Sequence, residues 1–425
     1  MKVVHLNTTD TRGGAAIAAY RLHRGLRRQG RDSTMFVANR YSDDPTVAAF
    51  EPPLDFTSRL SRILRKELIW RNFVRYQTTR PDGCDSFSDD RSEYGATLVR
   101  QLPSSDLINL HWVAGFLDYQ SFFSQLPRDV SIVWTLHDMN PFTGGCHYNE
   151  GCSRYTQGCG VCPQLGSHRL KDLSHKIWQR KRKAFARLHS DRLHIVTPSI
   201  WLAEEAKRGP LLERFPISSI PYGVDTKVFS LQDPGIARAA LELPHNAKVV
   251  LFIAVSTAKR RKGFVYLAEA LSGLKKIPNL LVVSLGHGKP SISSNIAHLH
   301  LGHIDNERLL SLIYSSAEIF AVPSLEDNLP NCVLESMSCG TPVVGFKVGG
   351  ISEMVRQGVT GLLVPPQDVK ALRAAIAELL QDPAKLKEMT ENCRRIATEE
   401  YSLQVQAQRY VDLYETIRGE QTGQP

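Results

Sequence analysis

The chain has 425 residues, 42% hydrophobic and 22% charged, an ordinary globular composition that excludes collagen-like, mucin-like and largely disordered proteins. At roughly 150 residues per domain, this length predicts two or three domains. Lys and Arg number 52 against 43 Asp and Glu, a formal charge of +9 that is too dispersed to point to nucleic acid and that suits anionic substrates or an anionic membrane surface.

The start, Met1-Lys2-Val3-Val4-His5-Leu6, lacks the pattern of a signal peptide and reads as a buried strand, so a cytoplasmic protein is expected. No stretch approaches the roughly 20 apolar residues of a membrane span. A glycine turn over 7–14 follows, then a helix over 15–30 with Ala16, Ala19, Leu22 and Leu26 at helical spacing, then a strand over 33–37. Strand, turn, helix and strand make a βαβ unit, which implies a parallel sheet covered by helices. Further strands are expected at 107–110, 132–135 and 194–197. The pattern restarts at 248–255 (KVVLFIAV), with a helix over 263–274 and strands at 280–284, 298–301, 319–322 and 342–345. The expected organisation is α/β, with two doubly wound domains: 1–217, a linker over 218–240, and 241–400. A last helix over 401–418 returns to the first domain, and the tail from 419 is frayed. Ligands of such sheets bind at the carboxyl ends of the strands, here in a cleft between the two domains.

The most informative stretch is 322–355, VPSLEDNLPNCVLESMSCGTPVVGFKVGGISEMV, which reads strand, acidic turn, helix, Gly-Thr-Pro, strand, Gly-Gly, helix. Asp327 and Glu335 flank the start of its helix, whose N–H groups and positive dipole end suit a phosphate. Carboxylates there can accept hydrogen bonds from sugar hydroxyls, or one can simply cap the helix. No G-x-G-x-x-G occurs, and 286–290 (GHGKP) lacks P-loop spacing, so neither NAD nor ATP hydrolysis is indicated.

These residues resemble the signature of retaining glycosyltransferases of family 4, the glycosyl transferases group 1, with the GT-B fold of two Rossmann-like domains. Supporting matches are Gly13-Gly14, Thr135-Leu136-His137-Asp138, Thr197-Pro198-Ser199, Pro221-Tyr222-Gly223-Val224-Asp225, Arg261-Lys262-Gly263-Phe264, Thr341-Pro342-Val343-Val344 and Gly349-Gly350. The resemblance implies that Glu335 holds the nucleotide ribose, and that Asp327 contacts the transferred sugar. It gives Lys262 the phosphate charge and His137 the donor sugar. Gly13, Gly14, Arg261, Asn328, Leu329 and Asn331 complete the expected donor site. The implied catalysis needs no metal, and the nucleotide-diphosphate sugar is a co-substrate. Three positions depart from the family. Ser256 or Thr257 stands where an arginine is usual, Asp327 replaces glutamate, and Pro330 replaces a frequent glycine.

Four cysteines, Cys146, Cys152, Cys159 and Cys162, lie within 17 residues and end in Cys-x-x-Cys-Pro. The spacing admits structural zinc, reduced thiols, disulfides or an iron–sulfur cluster, with zinc the leading reading. Cys332, Cys339 and Cys393 read as small core residues. Two basic, Trp-bearing segments, 59–80 and 168–192, suit docking on anionic lipid or the solvated face of packed helices. The function expected is hexose transfer from a nucleotide sugar to a saccharide or lipid-linked saccharide in envelope or exopolysaccharide synthesis. Its rivals are a zinc-stabilised, non-catalytic polyanion-binding protein and a GT-B phosphorylase.

Overall fold

A computed structural model describes residues 1–256, 259–288, 290–292 and 296–422. They form two compact units, one of Met1–Pro221 with the chain from Gln406 onward, the other Tyr222–Val405. Thr257, Lys289 and the last three residues of the tail lie outside the described residues, so the missing arginine is judged here at Ser256 alone.

The first unit holds seven parallel strands: β1 (Lys2–Thr9), β2 (Asp32–Asn39), β3 (Val47–Ala49), β4 (Leu107–Leu110), β5 (Ser131–Thr135), β6 (Leu193–Thr197) and β7 (Ile217–Ser219), in the order β3-β2-β1-β4-β5-β6-β7. Its central strands are continuous apolar runs because helices cover both faces. Thus β4 and β5 are buried at every position. The helices are α1 (Gly14–Arg28), α2 (Phe56–Val74), α3 (Tyr119–Gln125), α4 (Leu173–Phe185) and α5 (Ile200–Lys207). Asp55, Asp118, Asp172 and Ser199 cap α2 to α5 by accepting a backbone N–H.

The second unit repeats the design with six parallel strands, β8 (Lys248–Ser256), β9 (Leu280–His287), β10 (Ala297–His300), β11 (Ile319–Val322), β12 (Val343–Phe346) and β13 (Gly361–Val364), in the order β10-β9-β8-β11-β12-β13. Around it lie α6 (Pro234–Ala240), α7 (Phe264–Ser272), α8 (Glu307–Ser315), α9 (Asn331–Ser338), α10 (Ile351–Met354), α11 (Val369–Gln381) and α12 (Pro383–Tyr401). Both strand orders are those of the doubly wound nucleotide-binding fold. The chain then runs into α13 (Leu403–Thr422), which buries Ala407, Tyr410, Val411, Tyr414 and Ile417 against the first unit.

The strands expected from the sequence are present, with ends shifted by a few residues, as are the helices over 15–30, 263–274 and 401–418. Three short strands were not foreseen, β3, β7 and β13. Two are three-residue edge strands, too short to show a periodicity, and β7 runs into the stretch that the sequence reads as linker. The stretch 218–240 holds the end of β7, the division between the units, and α6.

Candidate active site

In the second unit, Arg261 and Lys262 follow β8 in a short 3-10 turn, and Ser324 and Asp327 follow β11, the neighbouring strand. The two loops are stitched together by Leu325 donating its N–H to the Arg261 carbonyl at 2.7 Å. Gly263 makes the approach possible. Its φ is 67°, and a Cβ there would stand 1.8 Å from the Pro323 carbonyl oxygen. Lys262 Nζ donates to Asp327 Oδ2 at 2.6 Å, Arg261 Nη1 lies 3.2 Å from Oδ1, and Ser324 Oγ donates to Oδ2 at 3.2 Å. Asp327 is 4% exposed. Burial alone would raise its pKa, but Lys262 and Arg261 outweigh that and hold the carboxyl below its ordinary value. The Asp327 carbonyl accepts the Gly350 N–H at 3.2 Å, across a turn where Gly349 has φ 47°.

Four residues after Asp327, α9 begins at Asn331 behind Pro330, with no side chain capping it. Helices α1 and α7, which follow Gly13 and Gly263, likewise carry no side-chain cap. Unlike the Asp-capped helices, these three have no N-cap side chain bonded to their first N–H groups. Glu335, one turn into α9, is 7% exposed and accepts a hydrogen bond from Tyr314 Oη at 2.9 Å. Burial, then the Glu335 charge, pushes the Tyr314 hydroxyl pKa well up, so it stays a donor. Asn328 and Leu329 are buried beside Asp327, and Asn331 is half-buried. The turn thus gathers Arg261, Lys262, Asp327, Asn328, Leu329, Asn331 and Glu335 at the strand ends of one unit. The position noted for a missing arginine is Ser256, the last residue of β8, and Arg261 supplies a guanidinium in the loop that follows.

In the first unit, His137 follows β5 and is joined to two more histidines across the sheet. His5 Nδ1 lies 2.9 Å from His111 Nε2, and His111 Nδ1 lies 3.0 Å from His137 Nε2. His5 is on β1 and His111 follows β4, so neighbouring parallel strands set the row. Desolvation lowers all three imidazoles, His137 to about 4, so the row is neutral at pH 7. Beside it Asp138 binds His147 at 2.5 Å and accepts from Trp112 Nε1 at 2.9 Å. Burial raises the Asp138 pKa and the His147 charge lowers it, with a net fall. Gly13, at φ 96°, immediately precedes α1, and a Cβ there would meet nothing within 4 Å. His137 is an expected site residue, whereas its link through His111 to His5, and Tyr314, were not singled out. His5 lies inside an apolar strand and Tyr314 on an ordinary amphipathic helix, and neither carries a motif.

Among the described residues no group of three or more His, Cys, Asp or Glu could hold a metal ion, and Cys146, Cys152, Cys159 and Cys162 are described and free. Burial, reinforced by the other sulfurs, pushes the Cys146 thiol well up; burial also takes Cys159 to about 12 and Cys162 to about 11. Their loop is held by the buried Lys181, whose Nζ donates to the Asn140 and Thr143 carbonyls, and by Asp172, which accepts the Cys162 N–H at 2.8 Å. Desolvation lowers Lys181 to about 8. Of Cys332, Cys339 and Cys393, the last two are buried, while Cys332 is partly exposed.

Comparison with known proteins bears on the second unit above all. Residues 247–382 match the family model described as Glycosyl transferases group 1. An MMP alpha-(1->4)-mannosyltransferase of Mycolicibacterium hassiacum is 30% identical over 234 residues, 51% of this chain and 54% of that protein. The chain spans about half the length of the curated relatives it matches. Over nearly the whole chain, the sucrose-phosphate synthase of Thermosynechococcus elongatus superposes with TM-score 0.66 at 21% identity, covering 99% of this chain and 100% of that one. Anabaena HepE in complex with UDP and glucose superposes with TM-score 0.63 at 16% identity, covering 98% and 99%. These likenesses establish the fold as GT-B, two Rossmann-like parallel-sheet domains.

Proposed function

We propose that the chain is a retaining glycosyltransferase that moves a hexose from a nucleotide-diphosphate sugar to a hydroxyl of a saccharide or lipid-linked saccharide, in the cytoplasm and in the service of envelope or exopolysaccharide synthesis. The observation that carries this reading is the buried Lys262–Asp327–Arg261 cluster at the ends of β8 and β11, inside the matched domain and beside the uncapped α9. A departing diphosphate needs cations and N–H dipoles already in place, because reorganising them during the reaction would raise the barrier. Arg261, Lys262 and the first turn of α9 supply both, with Gly13 and Gly14 offering further backbone N–H groups in the first unit. Glu335 is oriented by Tyr314 to accept the ribose hydroxyls, and Asp327, with Asn328, Leu329 and Asn331, lines the transferred sugar. The neutral His137 hydrogen-bonds that sugar. Charge neutralisation comes from side chains, so no metal takes part. The structure of Anabaena HepE that shares this fold was solved with UDP and glucose, which supports the choice of donor class.

The test is a thermal-shift panel of nucleotide sugars followed by a transfer or donor-hydrolysis assay with and without EDTA. One nucleotide sugar should raise Tm, with the stabilisation growing as RT ln(1 + [L]/Kd). Its product should keep the anomeric configuration by NMR, and EDTA should leave the rate unchanged. Glu335→Gln and Lys262→Ala should each abolish the shift or the turnover while the fold is retained. A panel with no ligand, or one whose shift survives both substitutions, overturns the reading in favour of a non-catalytic protein. Phosphorolysis of a glucan with inorganic phosphate would point to the phosphorylase instead.

A further inference from the structure

Helix α2 is built inside out. Its 19 residues include none that is buried, although it carries Phe56, Leu60, Ile63, Leu64, Leu68 and Trp70. These six apolar side chains fall within one broad arc of the helix, which places them along one face, and that face points to solvent. Phe56 is 79% exposed, Ile63 63%, Leu64 60% and Trp70 51%. The opposite face holds the helix to the first unit by other means. Arg65 donates to the Ser92 carbonyl at 3.1 Å and pairs with Asp118 at 2.5 Å, and Phe73 packs against Phe87 with ring centroids 6.0 Å apart. A soluble helix normally has the reverse arrangement, with its charge outward and its apolar stripe against the core.

The second basic segment shows that normal arrangement. On α4, Ile177, Trp178, Ala184 and Phe185 are buried, and Lys176, Arg182 and Lys183 face out. It offers charge but no apolar face. The two segments read alike in sequence, and their tertiary orientations differ completely.

We infer that the outward face of α2 docks on an anionic lipid bilayer, lying in the interface with its apolar stripe among the acyl chains. Two features select this occupant. The helix carries Arg59, Arg62, Arg65, Lys66 and Arg71 against one carboxylate, Glu67, and Arg59, Lys66 and Arg71 are exposed beside the apolar side chains. An interfacial helix needs this combination, apolar residues with Trp below and cations at headgroup level. A two-fold pairing of α2 with a second copy would set these like charges against themselves, which an isologous interface does not tolerate well. Among the described residues no helix is long and apolar enough to cross a membrane, so the attachment lies on the surface of the bilayer.

The test uses the full chain and needs no sugar donor, so its outcome is independent of the glycosyltransferase reading. Co-sedimentation is measured with vesicles of phosphatidylcholine alone and with about 30% phosphatidylglycerol, at low and high salt, since screening acts within about 10 Å at 0.1 M. The wild-type chain should bind the anionic vesicles at least tenfold better than the neutral ones, with Trp70 fluorescence shifting to the blue. The triple variant Ile63→Ser, Leu64→Ser, Trp70→Ser should lose that binding tenfold or more with unchanged Tm, because these side chains support no core. Arg59→Glu with Lys66→Glu should abolish the preference for anionic lipid. Wild-type protein that stays in the supernatant overturns the inference, as does a triple variant that binds equally. So does a dimer that this variant converts to monomer, which would show a second copy on the face.

Discussion

At the scale of single residues, the buried charges around Asp327 are the sensitive point. The carboxylate is depressed by Lys262 and Arg261, so its stabilising contribution is present above the ordinary carboxylate pKa and lost as pH falls through the lowered one. Asp327→Ala would leave Lys262 and Arg261 facing each other without their shared anion. A cost of about 3–5 kcal/mol is expected from breaking such a buried pair, read as a fall in the denaturant midpoint. Lys262→Ala leaves Arg261 on the carboxylate and should be milder for the fold, while transfer falls by about 10²–10³-fold if Lys262 meets the developing phosphate charge. A Lys262→Ala enzyme with near wild-type kcat would remove that role. The residues of this cluster were legible singly, as motifs. That Lys262 and Asp327, 65 residues apart, share a 2.6 Å contact was not, because it depends on β8 and β11 being neighbours in the sheet.

Among elements, close backbone approach and buried imidazoles set the limits. Gly349 is the turn on which the Asp327 loop rests, and a Cβ there would lie 2.0 Å from the Asp327 carbonyl oxygen. Gly349→Ala should therefore cost about 1–3 kcal/mol and displace the site. Gly13→Ala, with open space around it, should show the strain of a positive φ alone; the two are compared by thermal unfolding. His5, His23, His111 and His137 lie on or just after β1, α1, β4 and β5, all with pKa lowered first by desolvation. The unfolded chain takes up these protons near pH 6.5, whereas the fold admits His23 and His137 at about 4. Stability is thus full above pH 6.5 and falls as pH drops from there towards 4. Tm measured from pH 7.5 to 5 should decline by several degrees, and a flat profile would show these histidines to be solvated. His111→Leu, which strips His5 and His137 of a shared partner, should lower Tm at pH 7 as well.

For the whole molecule, α13 is the clearest lever. It places Tyr410 Oη 2.9 Å from Thr135 Oγ1, accepts Asn109 Nδ2 on Tyr414 Oη at 2.7 Å, and shields Val3, Leu22, Leu107 and Val133. The burial of Ala407, Tyr410, Val411, Tyr414 and Ile417, at about 1.5–3 kcal/mol for each of the large ones, is of the same order as the margin of a typical domain. Removal of residues 403–425 should leave the first unit unfolded or aggregating, and Tyr410→Phe should cost about 1 kcal/mol. A truncated chain with an unchanged first unfolding transition would refute this.

The sequence by itself determined the fold class and the order of the elements, since strands covered on both faces must be apolar along their length and helices between them must repeat at 3.6. It also marked the acidic and basic motifs of the second unit, because those are local strings with fixed spacing. Tertiary structure alone decided which charges meet and which face of a basic helix looks outward. Each of these turns on the packing of segments distant in the chain, and local pattern carries no record of that.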